Sequence, residues 1–136
     1  MAEALLKKAL EHRSDVNVGS AGIAAFPGQS ASSETESVLQ GRGASLKDFK
    51  SRQIDEEILS SMDLIIAMTN SHADFVKRLF PDRAACVKLL CDFIDEGEQL
   101  AGADVPDPIG MGYDAYEDVA RVIGLALPGI VRELDN

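Results

Sequence analysis

Basic residues are scarce in this chain: 13 Lys and Arg stand against 23 Asp and Glu, a formal charge of -10 at pH 7. Nucleic acid and anionic membranes are bound through basic patches, so neither is expected as a partner. No apolar run approaches the roughly 20 residues that cross a bilayer, and the first residues do not follow a signal-peptide plan. The expected location is the cytoplasm. Cysteine is limited to Cys86 and Cys91. Their spacing in "CVKLLC" is neither CxxC nor a zinc pattern, and His12 and His72 do not complete one, so no metal is implied. If "CVKLL" is a strand, residues five apart point to opposite faces, which argues for two reduced, mostly buried thiols rather than a disulfide. Repeats, linkers, low-complexity segments and a nucleotide-binding glycine motif are also missing. The 136 residues are expected to form one domain, 1–136.

What is present alternates between two periodicities. "MAEALLKKALEHR" places Leu5, Leu6, Ala9 and Leu10 on one helical stripe. "VNVGSAG" reads as a short strand ending in a loop, and "IAAFPGQSAS" as that loop. In "SSETESVLQGRG", Ser33 is the expected N-cap, Glu36 closes a capping box, and Gly41 or Gly43 ends the helix. "DEEILSS" is a short helix, and "MDLIIAM" a fully apolar strand of the kind buried on both faces of a parallel sheet. "NSHADFVKRLF" follows as a helix capped by Asn70 or Ser71, then "ACVKLL" as another buried strand. Residues 92–112 are loop-rich, with Gly97, Gly102, Pro106, Pro108, Gly110 and Gly112. "YDAYEDVARVIGLALPGIVREL" is a long terminal helix that Pro128 is expected to kink. The order argues for an α/β fold with a parallel sheet flanked by helices. Its start is irregular, because the first helix has a strand after it and none before it.

Several stretches together resemble the low-molecular-weight protein-tyrosine phosphatases: "MAEALLKKAL", "VGSAGIAAFPGQSAS", "KSRQID", "DLIIAMTNSH" and above all "VPDPIGMGYDAYEDVARVI". They span essentially the whole chain. "MTNSH" and "DPIG" are most similar to the bacterial branch, which includes arginine-phosphate phosphatases. The resemblance implies a three-layer sheet fold and hydrolysis of a phosphorylated side chain through a cysteinyl-phosphate, without a cofactor. In such enzymes a C-x5-R loop between the first strand and the first helix carries the nucleophilic thiolate and cradles the phosphoryl oxygens. A distant Asp-Pro loop then protonates the leaving oxygen.

By that resemblance Asp107 is the general acid and Pro108 stiffens its loop. Asp104 is a weaker candidate, because no proline follows it. Ser20 is similar to the serine that hydrogen-bonds the phosphate-binding loop, or is an ordinary loop hydroxyl. Tyr113 falls where the family lines the mouth of the site. Tyr116, at helical spacing, is open between that role and the core. His72 reads as structural, and Arg52 as tying down a connection.

The nucleophile does not carry over. Six residues after Cys86 stands Asp92, and six after Cys91 stands Gly97, so neither begins a C-x5-R motif. The chain is expected to be an N-terminally truncated phosphatase domain lacking the first, central strand and its loop. An internal methionine taken as the start is the preferred explanation, since Met1 falls where family members continue from the loop. A genuine shortened paralogue, or a strand supplied by another polypeptide, are the others. A phosphorylated protein or a small phosphate ester is the expected substrate once the loop is restored. A non-catalytic binding or regulatory protein is the rival reading. An open sheet edge also makes a homodimer plausible by pairing.

Overall fold

In the computed structural model, which describes residues 1–23, 27–46, 49–95 and 102–135, the long terminal helix organises the packing. It is α5, Tyr113–Leu134, and its inner face carries Tyr116, Val119, Ala120, Ile123, Ala126 and Ile130, all buried. Their spacing of three and four residues is what one helical face requires. Helices α1 (Ala2–Ala9) and α2 (Ser33–Gly41) lie against it through Ala4, Leu5, Val38 and Leu39. Tyr116, 6% exposed, is a core residue.

Beyond α3 (Glu56–Ser60), strand β1 (Ile65–Ala67) runs parallel to β2 (Val87–Leu89), with Ile65 opposite Val87 and Ala67 opposite Leu89. Helix α4 (Asn70–Leu79) makes the crossover between them, as parallel pairing demands. Side chains alternate along β1. Ile65 and Ala67 join Leu59, Ala73, Val76 and Val87 in one cluster, whereas Ile66 packs on the α1–α2–α5 cluster. Helices therefore cover both faces of the sheet, giving the expected three layers.

The strand expected in "VNVGSAG" does not form; only Gly22 bridges, in parallel, to Gln53. Strands are held by a neighbour's backbone, and among the described residues no strand lies beside this run or on the second edge of β1. Parts of the expected loops, 24–26 and 96–101 with Gly97, lie outside the described residues.

Local signals moved two caps by one position. Ser32, not Ser33, caps α2, its Oγ accepting the Thr35 N–H at 3.2 Å, and the Glu36 N–H serves the helix through the Ser32 carbonyl. Thr69, rather than Asn70 or Ser71, caps α4, accepting the His72 N–H at 3.0 Å. In both, a hydroxyl three residues ahead of a free helical N–H wins the cap. Gly43, with φ +73, turns the chain after α2 in the left-handed region where glycine is at ease. Helix α5 is continuous through Pro128. Next to it Gly129 meets the turn Leu90–Phe93, where a Cβ would run into the Phe93 carbonyl.

Candidate active site

The segment 102–112 is a tethered loop. The Val105 N–H bonds the Met68 carbonyl at 2.8 Å, and the Val105 side chain is 4% exposed in the main core. Asp104 turns the other way. Its Oδ1 accepts both the backbone N–H of Asn70, at 2.7 Å, and the Asn70 Nδ2–H, at 2.9 Å. Proline at 106 and 108 then fixes φ on either side of Asp107. The Asp107 carboxylate stands exposed, with Oδ1 accepting the Ile109 N–H at 3.1 Å, an Asx turn that orients it. A further turn, Met111 N–H to the Pro108 carbonyl at 3.0 Å, leads into α5. Gly110 and Gly112 take φ of +78 and +84, which lets so short a loop reverse direction.

At the start of α5, the Tyr113 hydroxyl donates to Glu117 Oε1 at 3.0 Å, and Arg42 reaches Glu117 Oε2 at 3.3 Å. The Glu117 carboxylate, with desolvation as the lesser cause, pushes the Tyr113 hydroxyl above its ordinary value. Tyr113 thus stands, 48% exposed and protonated at neutral pH, six residues after Asp107, and Ile109 and Met111 between them are exposed as well.

Ser20 lies at a different junction. Its Oγ donates to Glu3 Oε1 in the first turn of α1 at 2.9 Å, and its carbonyl accepts Arg52 Nε at 2.9 Å. The Arg52 carbonyl in turn accepts the Gly22 N–H at 2.9 Å. Arg52 therefore does tie down a connection, as its place in "SRQ" implies. Helix α1 begins with no side chain capping it. The structure gives Ser20 and Asp107 separate partners and no hydrogen bond to each other. His72 contributes its backbone N–H to the cap of α4.

Neither thiol is built for nucleophilic attack. Cys91 has no exposed surface, and burial, then the charges of Asp92 and Asp104, push its thiol up, away from thiolate. Cys86 is half-buried, not deep, because it ends the turn Pro81–Cys86 ahead of β2. Its Sγ accepts one Arg83 Nη2 contact at 3.5 Å, and the same nitrogen bonds the Met62 carbonyl. An anion nest needs several converging N–H groups, and among the described residues nothing of that form surrounds either sulfur. A thiol reagent such as dithionitrobenzoate is expected to modify Cys86 at least about a hundredfold faster than Cys91 in native buffer, with both reacting in denaturant. Equal native rates would contradict the burial of Cys91.

Among the described residues no group of three His, Cys, Asp or Glu is placed to hold a metal ion, and no helix is long and apolar enough to cross a membrane.

Against known proteins, the family model described as low molecular weight phosphotyrosine protein phosphatase matches residues 1–136. A low molecular weight protein-tyrosine-phosphatase of Streptomyces coelicolor is 32% identical over 96% of this chain and 82% of its own length. The protein-arginine-phosphatase of Bacillus subtilis is 30% identical over 98% of this chain and 87% of its own. The crystal structure of a YwlE mutant from Bacillus subtilis superposes with a TM-score of 0.86 at 29% identity, covering 99% of this chain and 88% of that one.

Proposed function

From the premise that this chain belongs to the low molecular weight phosphotyrosine protein phosphatase family, we propose that it carries the proton-donating half of a protein phosphatase site, with Asp107 as the general acid. The observation that carries this reading is the Asp-Pro loop: an exposed carboxylate oriented by Ile109, flanked by prolines, on a segment hydrogen-bonded to the end of β1. A rigidly held acid of this kind delivers a proton to a departing oxygen or nitrogen. Pro108 holds the loop's direction, Ser20 steadies the start of α1, and Tyr113 borders the mouth of the site.

Residues 1–136 constitute one phosphatase-like domain of cytoplasmic setting, and the motif C-x5-R does not occur within them. Taken alone, this polypeptide does not hydrolyse phosphate esters. Its two thiols, one buried and one outside any anion nest, cannot act as the nucleophile, and no C-x5-R motif supplies one. With the strand and loop in place, the substrate is a phosphorylated protein side chain, phosphotyrosine or phosphoarginine, or a small phosphate ester.

The test compares two polypeptides, 1–136 alone and the same chain extended in frame by its upstream codons. An upstream apolar strand followed by Cys, five residues, Arg, Ser and Pro should bring vanadate-sensitive turnover of aryl phosphates. Phosphotyrosyl peptide and phosphoarginyl protein then distinguish the substrate class. Thiol-dependent, vanadate-sensitive turnover by 1–136 alone would falsify the assignment.

A second reading rests on β1, which pairs with β2 on one edge only among the described residues. On this reading the chain is a binding or regulatory protein whose sheet is completed by a partner or by a second copy. Stable folding of 1–136 alone, with a dimer or a co-purifying partner and no gain on extension, is its signature.

A further inference from the structure

We infer that Asp104 is the positioning residue for the general acid, clamping the start of the Asp107 loop to the N-terminus of α4 through Asn70. The inference rests on the reading of Asp107 as the acid and goes beyond it. A single oxygen, Asp104 Oδ1, accepts two hydrogen bonds from Asn70, one from the backbone and one from the side chain. The two residues are 34 apart in sequence, so the bond joins two segments. A carboxylate at a helix N-terminus meets both free N–H groups and the positive end of the helix dipole.

The helix does not need this carboxylate as its cap. Thr69 already fills that role through the His72 N–H. What the bond adds is an anchor for the loop. One residue on, Val105 supplies a second anchor by its N–H to the Met68 carbonyl and by its buried side chain. From there only Pro106 separates the anchored pair from Asp107. With φ fixed at 106, few torsions remain between the clamp and the acid. The position of the Asp107 carboxyl is therefore set at the end of β1 and the start of α4. Because Asp104 and Asn70 are both exposed, their bond contributes little to global stability, and its loss is felt locally.

The test uses Asp104→Ala, Asn70→Ala and the conservative Asp104→Asn, with two readouts. In 1–136, hydrogen exchange followed by mass spectrometry should show the amides of Val105 and Ile109 exchanging about tenfold faster in Asp104→Ala. The interior of α4 should stay at the parent rate, Asn70→Ala should be intermediate, and Asp104→Asn, which keeps the acceptor, close to the parent. In the chain extended by the strand and C-x5-R loop, Asp104→Ala should lower kcat/KM for phenyl phosphate roughly ten- to a hundredfold. Dinitrophenyl phosphate, whose leaving group departs without a proton, should be nearly unaffected.

Unchanged exchange at Val105 and Ile109 overturns the clamp. Equal losses with both esters overturn the positioning role, because a loosened fold would not discriminate between leaving groups. Asp107→Asn in the same extended chain separates the two ideas. If it shows the leaving-group selectivity and Asp104→Ala does not, the acid reading stands and this inference fails. If it shows none, or the extended chain is inert, both fall together. Should Asp104→Ala fail to fold, Asn70→Ala decides by the same criteria.

Discussion

Replacing Asp107 by Asn in the extended, loop-bearing chain is expected to lower kcat/KM for phenyl phosphate by about 10²–10³-fold, while dinitrophenyl phosphate loses no more than about threefold. The amide is nearly isosteric with the acid and its Oδ1 can keep the Ile109 N–H bond, so the turn survives. What it lacks is the proton. A poor leaving group then departs as a high-energy anion, and a good one does not notice. Steady-state kinetics across a series of substituted aryl phosphates gives the answer as a slope: log kcat/KM should depend steeply on leaving-group basicity in the variant and weakly in the parent. Parallel lines would remove Asp107 from the chemistry.

The second large effect concerns the fold. Gly129→Ala is expected to destabilise the protein by about 2–3 kcal/mol, through overpacking that rigid neighbours cannot relieve. Helix propensity points the other way, favouring Ala over Gly by roughly 1 kcal/mol in a helix interior. The local term loses here, because the new methyl meets the backbone carbonyl of Phe93 and not a side chain able to rotate aside. At this chain length the melting temperature should fall by roughly 6–12 °C. Gly124, in the same helix, is the control: a Cβ there meets nothing within 4 Å. Gly124→Ala should hold or slightly raise the melting temperature. If both variants melt with the parent, α5 does not seat on the turn Leu90–Phe93 as described.

Much of this was legible in the residues. The long terminal helix was expected from its residues, although Tyr116 stayed open between the site mouth and the core until the packing placed it inside, and "LIIA" announces a buried strand. The order of elements and the family followed from the stretches "MAEALLKKAL" to "VPDPIGMGYDAY". Strand formation in "VNVGSAG" was misread, because β-branched residues signal capacity and only a hydrogen-bonded neighbour realises it. The caps were misplaced by one residue because Ser32 and Ser33, or Thr69, Asn70 and Ser71, compete in sequence and only geometry chooses. Cys86 was expected deep in a strand and instead ends a turn with partial exposure. Asp104 illustrates the harder case. Sequence ranked it as a lesser acid, since Asp-Val carries no signature. Its bond to Asn70 depends on a contact across 34 residues, which no local pattern announces.

The crossover β1–α4–β2 also bears on how the chain is made. Ile65 and Val87 are joined by one helix and one turn, so this unit closes a short loop and can form while later residues are still being added. Helix α1 has no such neighbour. Ala4 and Leu5 are covered chiefly by α5, which lies far along the chain from them. During synthesis α1 is therefore made well before the helix that covers it, its apolar stripe exposed until residues 116–130 arrive.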